Sequence, residues 1–264
     1  MNIDLKPISI DEFNKSMTRK IEEEDKIDFV AYFKPKIEQA KSFAVAPYFW
    51  LIPNQENMSV VGASPNIREL TPYTQEEWLK ENSFFWIHNF HPEDQGFLGA
   101  AITFAVKTQE EMSPEEVNGV RLNIYCRMLD ANREYRWVLI QFPERYLDKN
   151  GKICSTLILT TDLSHLTIKL KCTMTLIDAS ENEFKFFSAS IDTQKMIPLP
   201  LASISKREHE ILLLMTKGLN SPEISKKLFI SYHTVENHKR NLRKKTNTKT
   251  SAELVHYVWS NNLI

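Results

Sequence analysis

The chain has 264 residues, of which 42% are hydrophobic and 25% are charged, and its formal net charge at pH 7 is −1. This composition is typical of a globular protein with a substantial hydrophobic core, and it excludes a disordered chain. The longest apolar run, residues 97–106, is too short to cross a bilayer, and the amino terminus lacks the pattern of a secretory signal, so we expect a cytoplasmic protein without membrane contact.

The small net charge hides a difference between the two ends of the chain. Residues 199–264 contain 11 Lys+Arg against 5 Asp+Glu, a net charge of +6, whereas residues 1–198 carry 22 basic and 29 acidic residues, a net charge of −7. This division suggests that only the carboxy-terminal part meets a polyanion. The three cysteines (Cys126, Cys154 and Cys172) are too widely spaced for a disulfide framework or a zinc site, and we interpret them as buried thiols.

The first three quarters of the chain predict a mixture of helices and strands. Residues 1–44 indicate a mainly helical, polar segment. The predicted strands that follow are residues 47–53, 58–63, 120–129, 135–142 and 153–161, and the predicted helices are residues 65–70, 74–80 and 97–107. The polar residues 54–57 are predicted to be a turn, and Gly151 can take a positive φ in another. Residues 173–178 and 183–188 indicate an additional hairpin.

This order of elements resembles a PAS domain over about residues 45–165. Besides the paired opening strands, the features that carry the resemblance are His91–Asp94, Arg136–Trp137, Asp148–Gly151 and Asp162–Ser164. The resemblance implies an antiparallel sheet with flanking helices. Such a domain either senses a signal by holding a small-molecule ligand against the inner sheet face, or serves as a ligand-free module for dimerisation or protein docking. Both alternatives stay open.

No cofactor follows from the residues. The Asn-Cys-Arg adduct motif of flavin photosensors is missing, and His88 and His91 lie in the region where a haem ligand would be needed but are weak candidates for one. We interpret the aromatic residues of this region as core rather than as cofactor contacts; they are Phe49, Trp50, Phe84, Phe85, Trp86, Tyr125 and Trp137. There is no Gly-x-Ser-x-Gly motif, no phosphate-binding glycine loop and no metal-spaced His/Cys cluster, so we expect neither an enzyme nor a metal site.

The carboxy-terminal quarter shows a series of helix starts and stops. Residues 196–203 contain two prolines and are predicted to be a linker. Helix-capping signals then recur, at Ser205 with Glu208, Asn220 with Glu223, Ser231, and Thr250 with Glu253, and Gly218 suits a left-handed helix end. Four short helices joined by tight turns, with a positive net charge, are typical of a small DNA-binding bundle.

The third of these helices, about residues 232–245, carries a polar stripe. His233, Glu236, Asn237, Arg240 and Lys244 recur at helical spacing, with Lys239 and Arg243 beside them, while Val235 and Leu242 share the opposite face. A helix in a DNA major groove needs this arrangement, although a solvated helix face would look the same. Asn237 suits adenine and Arg240 suits guanine. Glu236 suits cytosine, or is instead an intrahelical partner of Arg240.

These residues resemble the LuxR/GerE-type helix-turn-helix module over about residues 200–264. The positions in the family's order and spacing are Glu208, Gly218, Glu223, Ile224, Leu228, Ser231, Thr234, Val235, His238, Lys245 and Ala252. The resemblance implies that Glu236, Asn237 and Arg240 approach bases, that Thr234, His238, Lys239 and Lys245 approach the DNA backbone, and that the fourth helix makes dimer contacts. A partly buried His238 stays open. The chain departs from the family pattern at Thr246-Asn247, where Asn247 is the predicted helix cap.

Together these patterns predict an α+β chain with a PAS-like antiparallel sheet and flanking helices, followed by a small all-α helix-turn-helix domain of four helices. The predicted divisions are a helical segment (1–44), a PAS-like domain with an extension (45–195), a linker (196–203) and a DNA-binding domain (204–264). The predicted function is a sequence-specific transcription regulator that binds double-stranded DNA as a homodimer and works with RNA polymerase. A sigma-factor region is a weaker alternative. The residues expected to contact DNA are His233, Thr234, Glu236, Asn237, His238, Lys239, Arg240, Arg243, Lys244 and Lys245.

Overall fold

The computed structural model describes residues 3–44, 46–112, 120–167, 171–181, 183–199, 204–246 and 248–260. The chain divides into two compact units, which we name the amino-terminal unit (Met1–Pro198) and the carboxy-terminal unit (Leu199–Ile264). Each is described by itself. No helix in the described ranges is long and apolar enough to cross a membrane.

The amino-terminal unit alternates a few helices with nine strands. Its strands are β1 (Ile3–Asp4), β2 (Tyr48–Asn54), β3 (Ser59–Ala63), β4 (Val120–Leu129), β5 (Tyr135–Leu147), β6 (Ile153–Asp162), β7 (Thr173–Glu181), β8 (Glu183–Ser190) and β9 (Lys195–Leu199). Its helices are α1 (Ile10–Met17), α2 (Phe29–Phe43), α3 (Ile67–Leu70), α4 (Gln75–Lys80), α5 (Ser83–His88) and α6 (Pro92–Glu111), with a 3-10 turn at Glu23–Asp25.

The strands form one sheet in the order β1-β9-β8-β7-β4-β5-β6-β2-β3. The paired strands run antiparallel wherever their register is defined, and Leu139 at the centre pairs with Tyr125 on one side and Thr161 on the other. All five predicted strands and the additional hairpin are present in the predicted order. The expected α+β class, an antiparallel sheet with flanking helices, is therefore confirmed.

The two faces of the sheet are covered by different helices, as the alternation of side chains along a strand requires. Leu51 of β2 belongs to the main core, which also contains Phe13 of α1 and Phe97 of α6. The next residue, Ile52, points to the other face and belongs to a second cluster with Phe33 of α2. The polar first forty-four residues therefore supply helices to both faces of the sheet.

Several predicted core residues are placed as expected. Phe49 and Trp86 are buried in the main core. The three cysteines are free and buried, and burial raises their pKa, to about 11 for Cys154. His91 precedes α6 and its Nδ1 accepts from the Glu93 amide at 3.3 Å, so it acts as a helix cap.

Two segments differ from the sequence prediction. Residues 83–88 form α5, which buries Trp86 and Ile87 in the core. The predicted linker 196–203 begins instead within β9, where Met196 pairs with Ile3 and Lys195 with Asp4. Pro198 lies beyond those two paired residues, so its missing N–H costs no hydrogen bond to β1. Residues 200–203 lie outside the described residues.

The carboxy-terminal unit consists of α7 (Lys206–Thr216), α8 (Ser221–Leu228), α9 (Tyr232–Thr246) and α10 (Ser251–Ser260). The predicted capping boxes at Ser205/Glu208 and Asn220/Glu223 are both formed, and Gly218 has a φ of +84°. The hydrophobic core of the bundle draws on all four helices, and its buried members are Ile211, Leu212, Leu214, Met215, Ile224, Val235, Leu242, Leu254 and Val258. The expected all-α domain of four helices is confirmed, whereas Asn247, the predicted cap of α9, lies outside the described residues.

The segment that leads into α1 approaches α6 closely at one of two glycines of that helix. The Gly96 carbonyl accepts from the Ile8 amide at 3.1 Å. A Cβ at Gly96 would lie 3.0 Å from the Pro7 Cβ and 3.2 Å from the Ile8 carbonyl oxygen, whereas a Cβ at Gly99 would meet its nearest atoms at an ordinary 3.4 Å. Gly96 therefore allows a close backbone approach, while Gly99 does not require its missing side chain.

We therefore predict different changes in stability from the same substitution at these two helical positions. Gly99→Ala should raise the free energy of unfolding by up to about 1 kcal/mol, because alanine is the better helix former. Gly96→Ala should lose most or all of that gain, because Pro7 and Ile8 must move. Urea denaturation of the two variants measures the difference, and equal gains would contradict the close packing of α1.

Candidate nucleic-acid interface

Helix α9 presents a polar face away from the bundle core. Val235 and Leu242 are fully buried on one side. The opposite side exposes the predicted stripe residues His233, Asn237, Arg240 and Lys244, and also Asn241, which the helical pattern did not single out. Four of the five predicted stripe positions thus share one solvent-facing surface; Glu236 is half-buried at its edge.

Asn237 and Arg240 lie side by side on this face. The Arg240 Nη2 donates to the Asn237 Oδ1 at 3.0 Å. This bond aligns the guanidinium with the amide and uses only one of the five guanidinium donors. Both side chains therefore keep donors directed to solvent, which is the chemistry that reads the major-groove edges of guanine and adenine.

Glu236 holds two helices together, and Arg240 is not its described partner. Its Oε1 accepts from the Ser221 hydroxyl at 2.5 Å and from the Lys239 Nζ at 3.3 Å, and the same Lys239 Nζ lies 2.8 Å from the Ser221 oxygen. The Ser221 hydrogen bond lowers the pKa of Glu236, burial opposes this, and the charge of Lys239 adds to the lowering. The Lys239 side chain is only 12% exposed. Glu236 and Lys239 therefore fix α9 against the first turn of α8.

Lys245 has a similar role at the other end of α9. Its Nζ lies 2.7 Å from the Glu208 Oε2, and Glu208 is only 3% exposed. Burial alone would raise the pKa of Glu208, but the hydrogen bonds from Lys245 and Ser205 outweigh it and lower that pKa. The pair joins the last turn of α9 to the first turn of α7.

The remaining predicted contacts lie on the flanks of the exposed face. Thr234 is half-buried and its hydroxyl lies 2.8 Å from that of Ser231, whose oxygen also accepts the Thr234 amide at the start of α9. His238 and Arg243 are likewise half-buried. The structure brings together the four exposed stripe residues and separates from them the two lysines that are engaged within the bundle.

Sequence reasoning missed an aromatic pair at the turn before α9. Phe229 ends α8 in a left-handed conformation (φ +53°) and is 94% exposed, and Tyr232 at the start of α9 is 48% exposed. The amide of Ile230 donates to the Ser225 carbonyl at 3.1 Å, which holds the turn. A hydrophobic residue at a helix end is usually part of the core, and nothing in the local sequence indicates the positive φ and the exposure of Phe229.

Other site chemistries find no support in the described ranges of the chain. No group of three or more His, Cys, Asp or Glu side chains there could hold a metal ion. Exposed cations are present instead, with Lys226 and Lys227 on α8 and Lys244 on α9. This distribution of charge suits a polyanionic ligand.

Comparison with known proteins finds a family match in the carboxy-terminal unit. The family model described as bacterial regulatory proteins, luxR family, matches residues 202–258. The oxygen regulatory protein NreC of Staphylococcus carnosus (strain TM300) is 46% identical over 65 residues, which are 25% of this chain and 30% of that protein. NreC of Staphylococcus epidermidis (strain RP62A) is 35% identical over 97 residues, which are 37% of this chain and 42% of that protein. The chain thus spans less than half the length of these relatives.

Among solved structures, the amino-terminal domain of a diguanylate cyclase with a PAS/PAC sensor from Marinobacter aquaeolei matches 45% of this chain and 97% of that chain, with 23% identity and a TM-score of 0.36. The Vibrio cholerae VqmA–ligand–DNA complex matches 85% of this chain and 87% of that chain, with 17% identity and a TM-score of 0.31. The family match coincides with the four-helix bundle and its exposed α9 face. Residues 202–258 are therefore a helix-turn-helix DNA-binding domain of the luxR family.

Proposed function

We propose that this protein is a sequence-specific transcription regulator, not an enzyme, and that α9 enters the major groove of double-stranded DNA. The observation that carries the proposal is the exposed, hydrogen-bonded pair of Asn237 and Arg240, opposite the buried Val235 and Leu242. A helix anchored in this way holds the guanidinium and amide donors in fixed positions, as base reading requires. Because its target is chromosomal DNA, we place the protein in the cytoplasm.

Residues beside the base-reading pair are proposed to position α9 on DNA. His233, Thr234, His238, Arg243 and Lys244 lie beside or among the base-reading residues and are proposed to approach phosphates. Glu236, Lys239 and Lys245 are proposed to act indirectly, by holding α9 in place rather than by contacting DNA. Their contacts to Ser221 and Glu208 set the orientation of α9 relative to α8 and α7.

The working unit is proposed to be a homodimer that binds an inverted repeat and acts with RNA polymerase, since two-fold symmetric proteins match two-fold symmetric sites. The amino-terminal unit, with its net negative charge, is kept away from DNA and serves as the input domain. The alternative, a ligand-free dimerisation module, has its strongest support in the half-exposed Tyr125, Trp137 and Leu139 on the sheet.

The first prediction concerns base reading. Arg240→Ala and Asn237→Ala should each relax base preference at one position of the site and cost about 1–3 kcal/mol on the preferred sequence, because each removes direct contacts to a base edge. Competition binding with single-base variants of the site measures this. Lys226→Ala on α8 is the control, which should keep the wild-type preference. An equal loss of affinity on every sequence for Asn237→Ala would remove Asn237 from base reading.

The second prediction separates two neighbouring lysines. Lys244→Met should weaken binding to all sequences alike and reduce the slope of log K against log salt by about one for each phosphate that is no longer neutralised, with stability unchanged within about 0.5 kcal/mol. Lys245→Met should instead lower the free energy of unfolding of the carboxy-terminal unit by about 2 kcal/mol, because it leaves the buried Glu208 carboxylate without its cation. Urea denaturation and salt-dependent binding distinguish the two.

The pH dependence supplies a check on the same ion pair. Because the folded-state pKa of Glu208 is lowered, its contribution to stability is present above its ordinary value of 4.5 and is lost as the pH falls through the lower folded value. The wild-type unit should therefore lose more stability on acidification than Lys245→Met does. Parallel losses in both proteins would show that the pair stabilises nothing.

A further inference from the structure

The sheet of the amino-terminal unit is split at one end, between β4 and β5. The defined register of these two strands ends at the pair Asn123 and Gln141, although β4 continues beside β7 and β5 continues beside β6. Pro143, which has no N–H to donate, lies in the bulge of β5 just beyond this point. The two strands therefore diverge and leave a gap within the sheet.

The gap forms one wall of a cleft of about 560 Å³, which helix α2 completes with Tyr32 and Lys36. Leu159 of β6 also lines the cleft, whereas the preceding residue, Ile158, belongs to the main core. Because successive side chains of a strand point to opposite faces, the cleft opens on the α2 face of the sheet. Its volume lies within the range of about 300–1,000 Å³ that is usual for small-molecule sites.

The charge of this cleft is opposite to that of the unit around it. Among the described residues that line it, Lys36, Arg121 and Arg145 are cationic and Glu144 alone is acidic, which gives a local charge of +2. Residues 1–198 as a whole have a net charge of −7. Cations gathered in a concave site raise the local concentration of anions, even on an acidic protein.

Arg145 is a cation whose charge is poorly compensated within the unit. It is half-buried, and its buried Nε has no hydrogen-bond partner among the described residues. Burial lowers the pKa of the Arg145 guanidinium, and the charge of Glu144 opposes this only in part. Glu144 is directed elsewhere, since its Oε2 lies 3.8 Å from the Lys36 Nζ and its Oε1 accepts from the Arg145 backbone amide at 3.2 Å. A half-buried guanidinium without a carboxylate is costly, so this group indicates a missing anion.

We propose that this cleft binds a small organic phosphate monoester, whose oxygens accept from the Arg145 guanidinium and are attracted by Lys36 and Arg121. A phosphate monoester carries a charge of about −1.5 to −2 at pH 7 and three acceptor oxygens. The charge matches that of the cleft, and the three oxygens suit cations that come from three elements, α2, β4 and β5. Gln39 and Gln109 in the wall offer uncharged polar groups to the rest of the molecule. The site does not depend on the function proposed for α9.

The test uses the full chain and calorimetric titration with three probes: ribose 5-phosphate, ribose and succinate. We expect ribose 5-phosphate to bind with an affinity that falls as the salt concentration rises. Ribose should not bind, because it lacks the charge. Succinate should bind about tenfold more weakly than ribose 5-phosphate, because its charge is divided between two separate carboxylates and only one of them can meet Arg145.

Arg145→Gln removes the charge and keeps a polar side chain. We expect it to weaken the binding of ribose 5-phosphate by about tenfold or more, because a hydrogen bond to a charged group is lost. Without any probe it should melt at or above the wild-type temperature, because a poorly compensated charge is removed from a half-buried position. An arginine with a merely structural role would lower the melting temperature instead.

Two lysines of α2 supply a matched pair of variants. Lys36→Gln, inside the cleft, should weaken the binding of ribose 5-phosphate by about threefold or more. Lys34→Gln, at an exposed position two residues earlier, should leave the affinity within twofold of the wild type. Arg240→Ala, on the exposed α9 face, should do the same. If Arg145→Gln does not fold, Lys36→Gln compared with Lys34→Gln decides the matter.

Five results would overturn the phosphate site. They are no binding of ribose 5-phosphate, which would leave the cleft to water; ribose or succinate binding as tightly as ribose 5-phosphate; unchanged affinity in Arg145→Gln; equal affinities in Lys36→Gln and Lys34→Gln; and a loss in Arg240→Ala as large as that in Arg145→Gln, which would place the phosphate on the α9 face. DNA binding by the probe-free chain is measured separately, and its failure would count against the proposed function alone.

Discussion

The geometry of the proposed DNA-binding face depends on a buried carboxylate. Glu208, at the start of α7, is almost completely removed from solvent and is compensated by the Nζ of Lys245, at the end of α9. A buried charge without its partner is costly, so the two helix ends cannot separate while the unit stays folded. Glu236 makes the corresponding connection between α9 and Ser221 of α8. The orientation of α9 is thus fixed at two points.

This arrangement explains why side chains on different faces of α9 have different roles. The charged side chains that face the bundle are used for internal contacts, and the outward face is left to Asn237, Arg240 and Lys244. Because Asn237 already aligns Arg240, the proposed contact of Arg240 with a base would cost less side-chain freedom. A rigid helix with two pre-aligned donors is well suited to distinguish bases as well as to bind phosphate.

Much of the carboxy-terminal unit could be predicted because its signals are local. The capping pairs Ser205/Glu208 and Asn220/Glu223 lie three residues apart, and the helical repeat separates Val235 and Leu242 from the polar stripe. The roles of Lys239 and Lys245 could not be read in this way. A helical repeat shows which face a lysine occupies, but not which carboxylate of another helix will meet it.

The same limit applies to the amino-terminal unit. The alternating pattern of the strands predicted the antiparallel sheet. Strand β9 was not predicted, because its partner β1 lies at the other end of the unit. Gln55 belongs to a polar tetrapeptide that is typical of a turn, and it lies in a turn in the structure. Its side chain is nevertheless buried beside a core cavity that residues of distant segments line. Burial of this kind depends on contacts between segments that no local pattern relates.

Selection from a random DNA pool with the full chain tests most directly whether α9 reads a DNA sequence. The predicted result is an enriched inverted repeat whose half-sites are about 10 base pairs apart or a multiple of that, as a two-fold symmetric helix-turn-helix dimer requires. Recovery of DNA without any common sequence, or no recovery at moderate salt, would contradict the account.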